Sequence, residues 1–316
     1  MFQRFCFERP SRHPGCATTG GLSRWLVAVF SLWATGCHSL SWQGPVPKSV
    51  ATCRQFSQQG INAMERGDWD RAESLLSQAV QACPVDSEAR RNYAETLWHR
   101  GAVNEAAAQL EEARRVAADD TSLAVRTGEL YLSMGQVDRA QKLADQTLDL
   151  DPKAAEAWVL RGRAQESTGH LREALADYQR SLGYCPGNPD VLLRVAEAYR
   201  QLHQPERTLT VLQNLGDSFP AGEEPQLLLH LQGLALMALG RHDDAVESLT
   251  LAAGRGKPSA DILCHLAEAQ LLSGHQAKAS AVVAQALSLE PNHLESRALK
   301  DRIEIAQLGR SSTVLR

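Results

Sequence analysis

Small and large apolar side chains recur along this chain in fixed places, in blocks of 34 residues. The block from Ala155 to Asn188, AEAWVLRGRAQESTGHLREALADYQRSLGYCPGN, shows the arrangement. It reads as two helices, one running to a turn at Gly169 and one ending ahead of Pro186. Moving the window by one block brings back the same places. A small residue sits in the first helix at Gly60, Ala94, Gly128, Gly162 and Ala196. The turn holds Gly67, Gly101, Gly135 and Gly169, then His203. The second helix has Ala72, Ala106, Ala140 and Ala174, then Thr208. After Gly222 the frame slips by Glu223, Glu224 and Pro225. It resumes with Gly233, Gly240 and Ala245, and again with Ala267, Gly274 and Ala279. Seven units result, starting at Cys53, Ser87, Thr121, Ala155, Pro189, Gln226 and Ala260 and filling 53–293.

The spacing has a physical basis. Two helix axes approach closely only where side chains are small, so Gly or Ala belongs at the crossings. Gly between the helices accepts positive φ and stops the first. Pro84, Pro152, Pro186, Pro220 and Pro291 close units, since Pro cannot continue a helix and suits the start of the next. Trp158, Tyr178, Tyr199 and Leu110 fill the seams. One helical hairpin cannot bury its apolar face alone, so neighbours stack into a solenoid, and the fold class is all-α. Unit five, with His203, Thr208, Pro205 and the insertion behind it, reads as a joint in the stack.

Trp158, Gly162, Ala174, Tyr178 and Pro186 fall where the tetratricopeptide repeat (TPR) carries its Trp, Gly, Ala, aromatic residue and Pro, and the chain resembles that family. The resemblance implies a right-handed superhelical solenoid of about seven helix-turn-helix repeats. It also implies an inner, concave face, lined by each first helix, that holds an extended peptide or a helix of another protein.

The ends differ from the repeats. Residues 1–36 carry Arg4, Arg9, Arg12 and Arg24 around and ahead of an apolar run, Trp25 to Ala34. That run is shorter than the ~20 residues needed to span a bilayer, and with a small-residue site after it the segment reads as an export signal. Ala34-Thr35-Gly36-Cys37 resembles a bacterial lipobox. Thr35, Gly36 and Cys37 match it, while Ala34 stands where Leu is usual. The resemblance implies cleavage before Cys37, acylation of that residue and a membrane anchor by lipid alone; two or more acyl chains anchor stably. Cleavage after Gly36 without lipid, giving a soluble periplasmic or secreted protein, is the alternative. Residues 37–52, with Gly44, Pro45 and Pro47, read as an extended tether reaching roughly 45 Å. At the other end, 294–309 reads as a capping helix with Leu294, Ala298, Ile305 and Leu308 on one face, and 310–316 as a frayed tail.

Composition narrows the chemistry. Among 316 residues only 5% are aromatic and the formal net charge is −4. No basic patch accompanies it, which argues against nucleic acid. Cys53 opens the first hairpin and Cys83 closes it, at the same pole, so an exported protein has room for a disulfide between them. Cys185 occupies the place equivalent to Cys83, and a small buried filler is the other reading of both. No C-x-x-C, no metal-ligand spacing and no hydrolase motif occurs. The histidines at 99, 170, 230, 242, 265, 275 and 293 have no triad spacing. Gly254-Arg255-Gly256-Lys257 reads as a turn between repeats. Neither cofactor nor catalysis is expected.

Function then rests on surface. The ninth place of the first helices gives Glu95, Glu129, Arg163, Glu197 and Glu268, a row that suits a cationic partner or simply faces water. Repeat six opens with QLLLHLQGLALMALG, apolar nearly all round. Leu227, Leu234 and Met237 take its second, ninth and twelfth places and are expected in the groove, rimmed by Asp190, Glu197, Asp261 and Glu268. An apolar patch with a polar rim is the anatomy of an anchor site, here for an apolar-basic peptide. Burial of the patch by a folded-over repeat five is the competing reading. The whole chain reads as a non-catalytic adaptor of the bacterial cell envelope. It resembles in general class the lipoproteins that assemble type IV pili and secretins; the alternative is an accessory subunit of an envelope enzyme or of a secretion or pilus machine.

Overall fold

The computed structural model describes residues 48–314, with side chains from 49 to 305. These residues form fifteen helices and no strand. Helices α1 (Lys48–Glu65) and α2 (Trp69–Ala82) make the first hairpin, and α3 (Ser87–His99) and α4 (Val103–Val116) the second. Helices α5 (Thr121–Ser133) with α6 (Val137–Leu150), α7 (Ala155–Ser167) with α8 (Leu171–Tyr184), and α9 (Pro189–Gln201) with α10 (Pro205–Gly216) follow. Helices α11 (Gln226–Ala238) with α12 (His242–Gly254), and α13 (Ala260–Leu272) with α14 (Gln276–Leu289), complete seven repeats. Helix α15 (Leu294–Val314) closes the stack. Each helix packs on the next along the chain. Odd helices also reach the next odd one, α1 to α3, α5 to α7, α9 to α11, α11 to α13 and α13 to α15. No two even helices pack as closely, so the first helices of the repeats line the inner side of a curved stack.

The small positions act as spacing demands. A Cβ on Gly162 would lie 2.6 Å from the Tyr178 ring, and one on Gly233 2.5 Å from Leu249. Ala94, Ala196 and Ala267 hold the same place in other repeats and are buried. In the second helices Ala72, Ala106, Ala140 and Ala174 are fully buried. Thr208 is buried in their place because its hydroxyl finds the Ala196 and Gln204 carbonyls, at 3.3 and 3.2 Å. The turn of repeat five forms without its glycine, with His203 at φ 54, a left-handed conformation that strains an L-residue. Asp68, Asp86, Asp120, Asn188 and Ser259 cap helices through their side-chain oxygens, each such cap contributing about 1 kcal/mol.

Two boundaries move. Helix α1 starts at Lys48, so the expected tether loses its last five residues to helix. Between Pro47 and Gly60 nothing in KSVATCRQFSQQ breaks a helix. At the other end α15 continues to Val314, past the expected end at 309 and through most of the expected tail. Its packed face is also different. Ser296, Leu299 and Ile303 are buried against α13 and α14, whereas Leu294 and Ile305 are 74% and 68% exposed. Leu294, Ala298 and Ile305 share a face as read, but it is the one open to solvent. The signal segment, Cys37 and the tether up to residue 47 lie outside the described residues.

Candidate protein-binding groove

The ninth places of the inner helices do not wait for a cationic partner. Arg126 on α5 donates to Glu95 on α3 at 2.9 Å and to Glu129 at 2.6 Å, with its guanidinium 4.1 Å from the centre of the Trp98 ring. Arg163 reaches back one repeat to Glu129 at 3.3 Å. Glu197 takes a two-pronged contact from Arg200, at 2.8 and 2.6 Å, and Glu268 is held by Arg302 of α15 at 3.2 Å. Burial opposes ionisation of Glu197, yet Arg200 and Gln201 hold its carboxyl below the usual range. The expected acidic row is therefore largely neutralised from within, at Glu197 and Glu268 as well.

Repeats six and seven with α15 present a different surface. Met237, Leu271 and Ile305 stand one repeat apart in the twelfth place of three successive inner helices. Leu272, beside Leu271, is 46% exposed and Leu227 is 51% exposed. Leu234 and Met237 are less available than expected. Leu234 packs half-buried against the core of repeats five to seven, with Leu212, Leu228 and Leu231, and Met237 against that of Leu236 and Leu249. The opposite edge, the second place, carries exposed Asp261 and Glu295, with Asp190 of the preceding inner helix α9, around Leu227.

Between the two edges lies a pair of histidines. His230 Nε2 on α11 and His265 Nδ1 on α13 are 3.0 Å apart, with ring centres 5.1 Å apart. Burial, followed by the facing His265 charge, pushes the His230 pKa down to about 4; burial lowers that of His265 too. Asp261, one turn before His265, accepts from His293 at 2.9 Å, and His293 also contacts Ser296. No sequence motif marks this pair. Its signal is a separation of 35 in a 34-residue repeat, which puts His230 and His265 on neighbouring inner helices. Among the described residues no three His, Cys, Asp or Glu groups are arranged to hold a metal ion.

The joint after repeat five opens a cleft of about 660 Å³ between α10, the connection at 217–225, α11 and α12. It uses Leu228, Leu229, Gln232 and Leu236 of α11, not Leu227, Leu234 or Met237. The insertion is pinned by Glu224, which takes a 2.7 Å contact from Arg255 and a bond from the Gly222 amide. That contact gives the turn at 254–257 a structural task. The bridge expected between Cys53 and Cys83 is not formed; both are free thiols. The Cys53 thiol is instead buried between α1, α2 and α3 and directed at Asp86 Oδ2, 3.5 Å away. Burial and that contact push its pKa up to about 11, which makes it a poor nucleophile. No described helix is long and apolar enough to cross a membrane.

Paired helices with small crossings, glycine turns and an inner row of first helices agree with the match to known sequences. A family model for the tetratricopeptide repeat covers residues 57–121, 125–203 and 230–293, more than half of the chain. The chain belongs to the tetratricopeptide repeat family. It is 23% identical over 184 residues to tetratricopeptide repeat protein 33 of Mus musculus, covering 56% of this chain and 70% of that protein. A TPR protein from Parabacteroides merdae superimposes with a TM-score of 0.61 at 16% identity, over 80% of this chain and 99% of that one. YrrB, a TPR protein with an unusual peptide-binding site, gives 0.50 at 20% identity, over 61% and 97%. These likenesses establish the fold. TPR proteins generally mediate protein–protein interaction and act as non-catalytic scaffolds.

Proposed function

We propose that this TPR chain is an adaptor of the bacterial cell envelope that holds an apolar-basic segment of another protein in the groove of repeats six and seven and α15. The carrying observation is the asymmetry of that stretch. Along one edge run Met237, Leu271, Leu272 and Ile305, the last two 46% and 68% exposed; along the other run the carboxylates of Asp190, Asp261 and Glu295. The second and twelfth places of a helix lie about 15 Å apart, at 1.5 Å per residue. The occupant must present an apolar flank to one edge and Lys or Arg to the other, as an amphipathic helix does, a familiar mode of recognition. Peptide binding by YrrB lends the class of function further support.

The test places a photo-cross-linker at Ala298, exposed on α15, in the native envelope and identifies what it captures. Leu227→Glu with Leu272→Glu removes the exposed anchors, and Asp261→Lys with Glu295→Lys reverses the acid edge. Each pair is expected to cut cross-linking at least tenfold, since a buried anchor is worth roughly 2 kcal/mol, with circular dichroism and melting unchanged. Undiminished cross-linking in both variants refutes the groove. The lipobox-like residues Thr35, Gly36 and Cys37 support attachment to a membrane through Cys37. Wild-type protein should then fractionate with membranes and Cys37→Ser should not; identical partition of the two refutes the anchor.

A further inference from the structure

The inner faces of α11 and α13 meet through one polar contact, the 3.0 Å bond between His230 and His265, set among the leucines of both helices. We propose that His230 and His265 form a two-proton latch between repeats six and seven, which keeps the groove at its neutral-pH width and releases it in acid. Its bearing on partner binding rests on the groove assigned above; the latch itself does not.

The proton count sets the behaviour. Two neutral imidazoles facing each other share one N–H···N bond, one ring donating and the other accepting. A first proton enters at the outer nitrogen of the donor ring. That ring becomes an imidazolium, still donates, and the bond is strengthened by charge. A second proton must occupy the only acceptor, so two N–H groups and two positive charges then face each other and the contact is lost. The charged groups acting on the pair are Glu197 and Arg200 of α9, Asp261 and Glu268 of α13, and His293 ahead of α15. Glu197 and Glu268 are already engaged by Arg200 and Arg302, and Asp261 by His293. These carboxylates are thus poorly placed to offset a second proton. On α10 and α12, the other helices packed on α11, Glu206, Arg207, Asp243, Asp244 and Glu247 are exposed to water. The low His230 pKa, with the His265 charge among its causes, accords with a costly second step.

Hydrogen exchange on the full chain tests the latch near pH 7.5, 5.5 and 4, with rates corrected for intrinsic chemistry. His230→Gln with His265→Asn retains an amide pair at the same two atoms and cannot titrate. In the wild type, α11 and α13 amides are expected to exchange about tenfold faster near pH 4 than in the double variant, one pK unit of lost coupling. Near pH 5.5 the difference should be smaller and near pH 7.5 it should vanish, and α5 and α7 should agree throughout. The His230 ring signal, followed by NMR, should titrate at higher pH in His265→Asn than in the wild type. The same acid loosening in wild type and double variant, or an unmoved His230 titration, overturns the latch. If groove cross-linking fails while the exchange difference stands, the groove reading falls and the latch survives.

Discussion

Asp177 and Arg161 offer the sharpest test of how the stack is held. Asp177, on α8, has a side chain only 3% exposed. Arg161, on α7, grips it with Nε to Oδ2 at 2.7 Å and Nη2 to Oδ1 at 2.9 Å. The third arm of Arg161 crosses to Asp145 on α6 at 3.0 Å, and its guanidinium lies 4.5 Å from the centre of the Trp158 ring. The Asp177 hydrogen bonds, acting against burial, raise the Arg161 pKa further. Arg161→Met leaves the buried carboxylate with only Arg180, 3.5 Å away and largely in water. Breaking a buried pair from that side should cost about 3–5 kcal/mol. Asp177→Leu leaves a guanidinium that keeps Asp145, Trp158 and 20% exposure, so the loss should be smaller, roughly 1–3 kcal/mol. The double variant Arg161→Met/Asp177→Leu replaces the pair by apolar groups and should return to within about 1 kcal/mol of wild type. Urea unfolding followed by circular dichroism measures the order. Hydrogen exchange in α7 and α8 localises it, since a repeat array need not unfold in one step. If Arg161→Met costs under about 1 kcal/mol, or the double variant is worse than that single change, the pair does not act as a desolvated clamp and the reasoning fails.

The remaining predictions follow from the same packing. Gly162→Ala gains about 1 kcal/mol of helix propensity but puts Cβ 2.6 Å from the Tyr178 ring, which is fully buried; overpacking of about 1–3 kcal/mol should win and lower the melting temperature. Gly183→Ala on α8 meets nothing within 4 Å and should raise it; the opposite order would refute the crossing argument. Stability should also fall in acid in two stages. His230 sits at about 4 against an ordinary 6.5, so its contribution is whole above 6.5 and is lost as pH falls from there toward 4. With screening by water at this half-open site, the expected loss is about 1–2 kcal/mol. Asp120, which burial opposes but Ser122 and the Leu123 amide hold down, adds a second loss below about pH 4. Urea midpoints between pH 7.5 and 4, with and without His230→Gln/His265→Asn, check the first stage; equal slopes in the two proteins would refute it.

Local sequence determined a large part of this molecule. A hairpin needs small residues where its axes cross and left-handed backbone where it turns, and both are properties of single positions. Gly162, Gly169 and Ala174 therefore announced repeat four before any contact was known, and the same spacing carried the other six repeats. The irregular turn at His203 was legible for the same reason. Which side of a helix meets which neighbour was not, because that depends on how the whole stack curves. Helix α15 has apolar residues on two opposite faces, and only docking on α13 and α14 selected Leu299 and Ile303 over Leu294 and Ile305. The free Cys53 thiol, the Arg partners of Glu197 and Glu268, and the partial burial of Leu234 are likewise settled by side chains from other repeats. His230 and His265 show the division most clearly. Each alone is an ordinary histidine on a helix, and the bond between them exists only because the solenoid lays one inner helix beside the next.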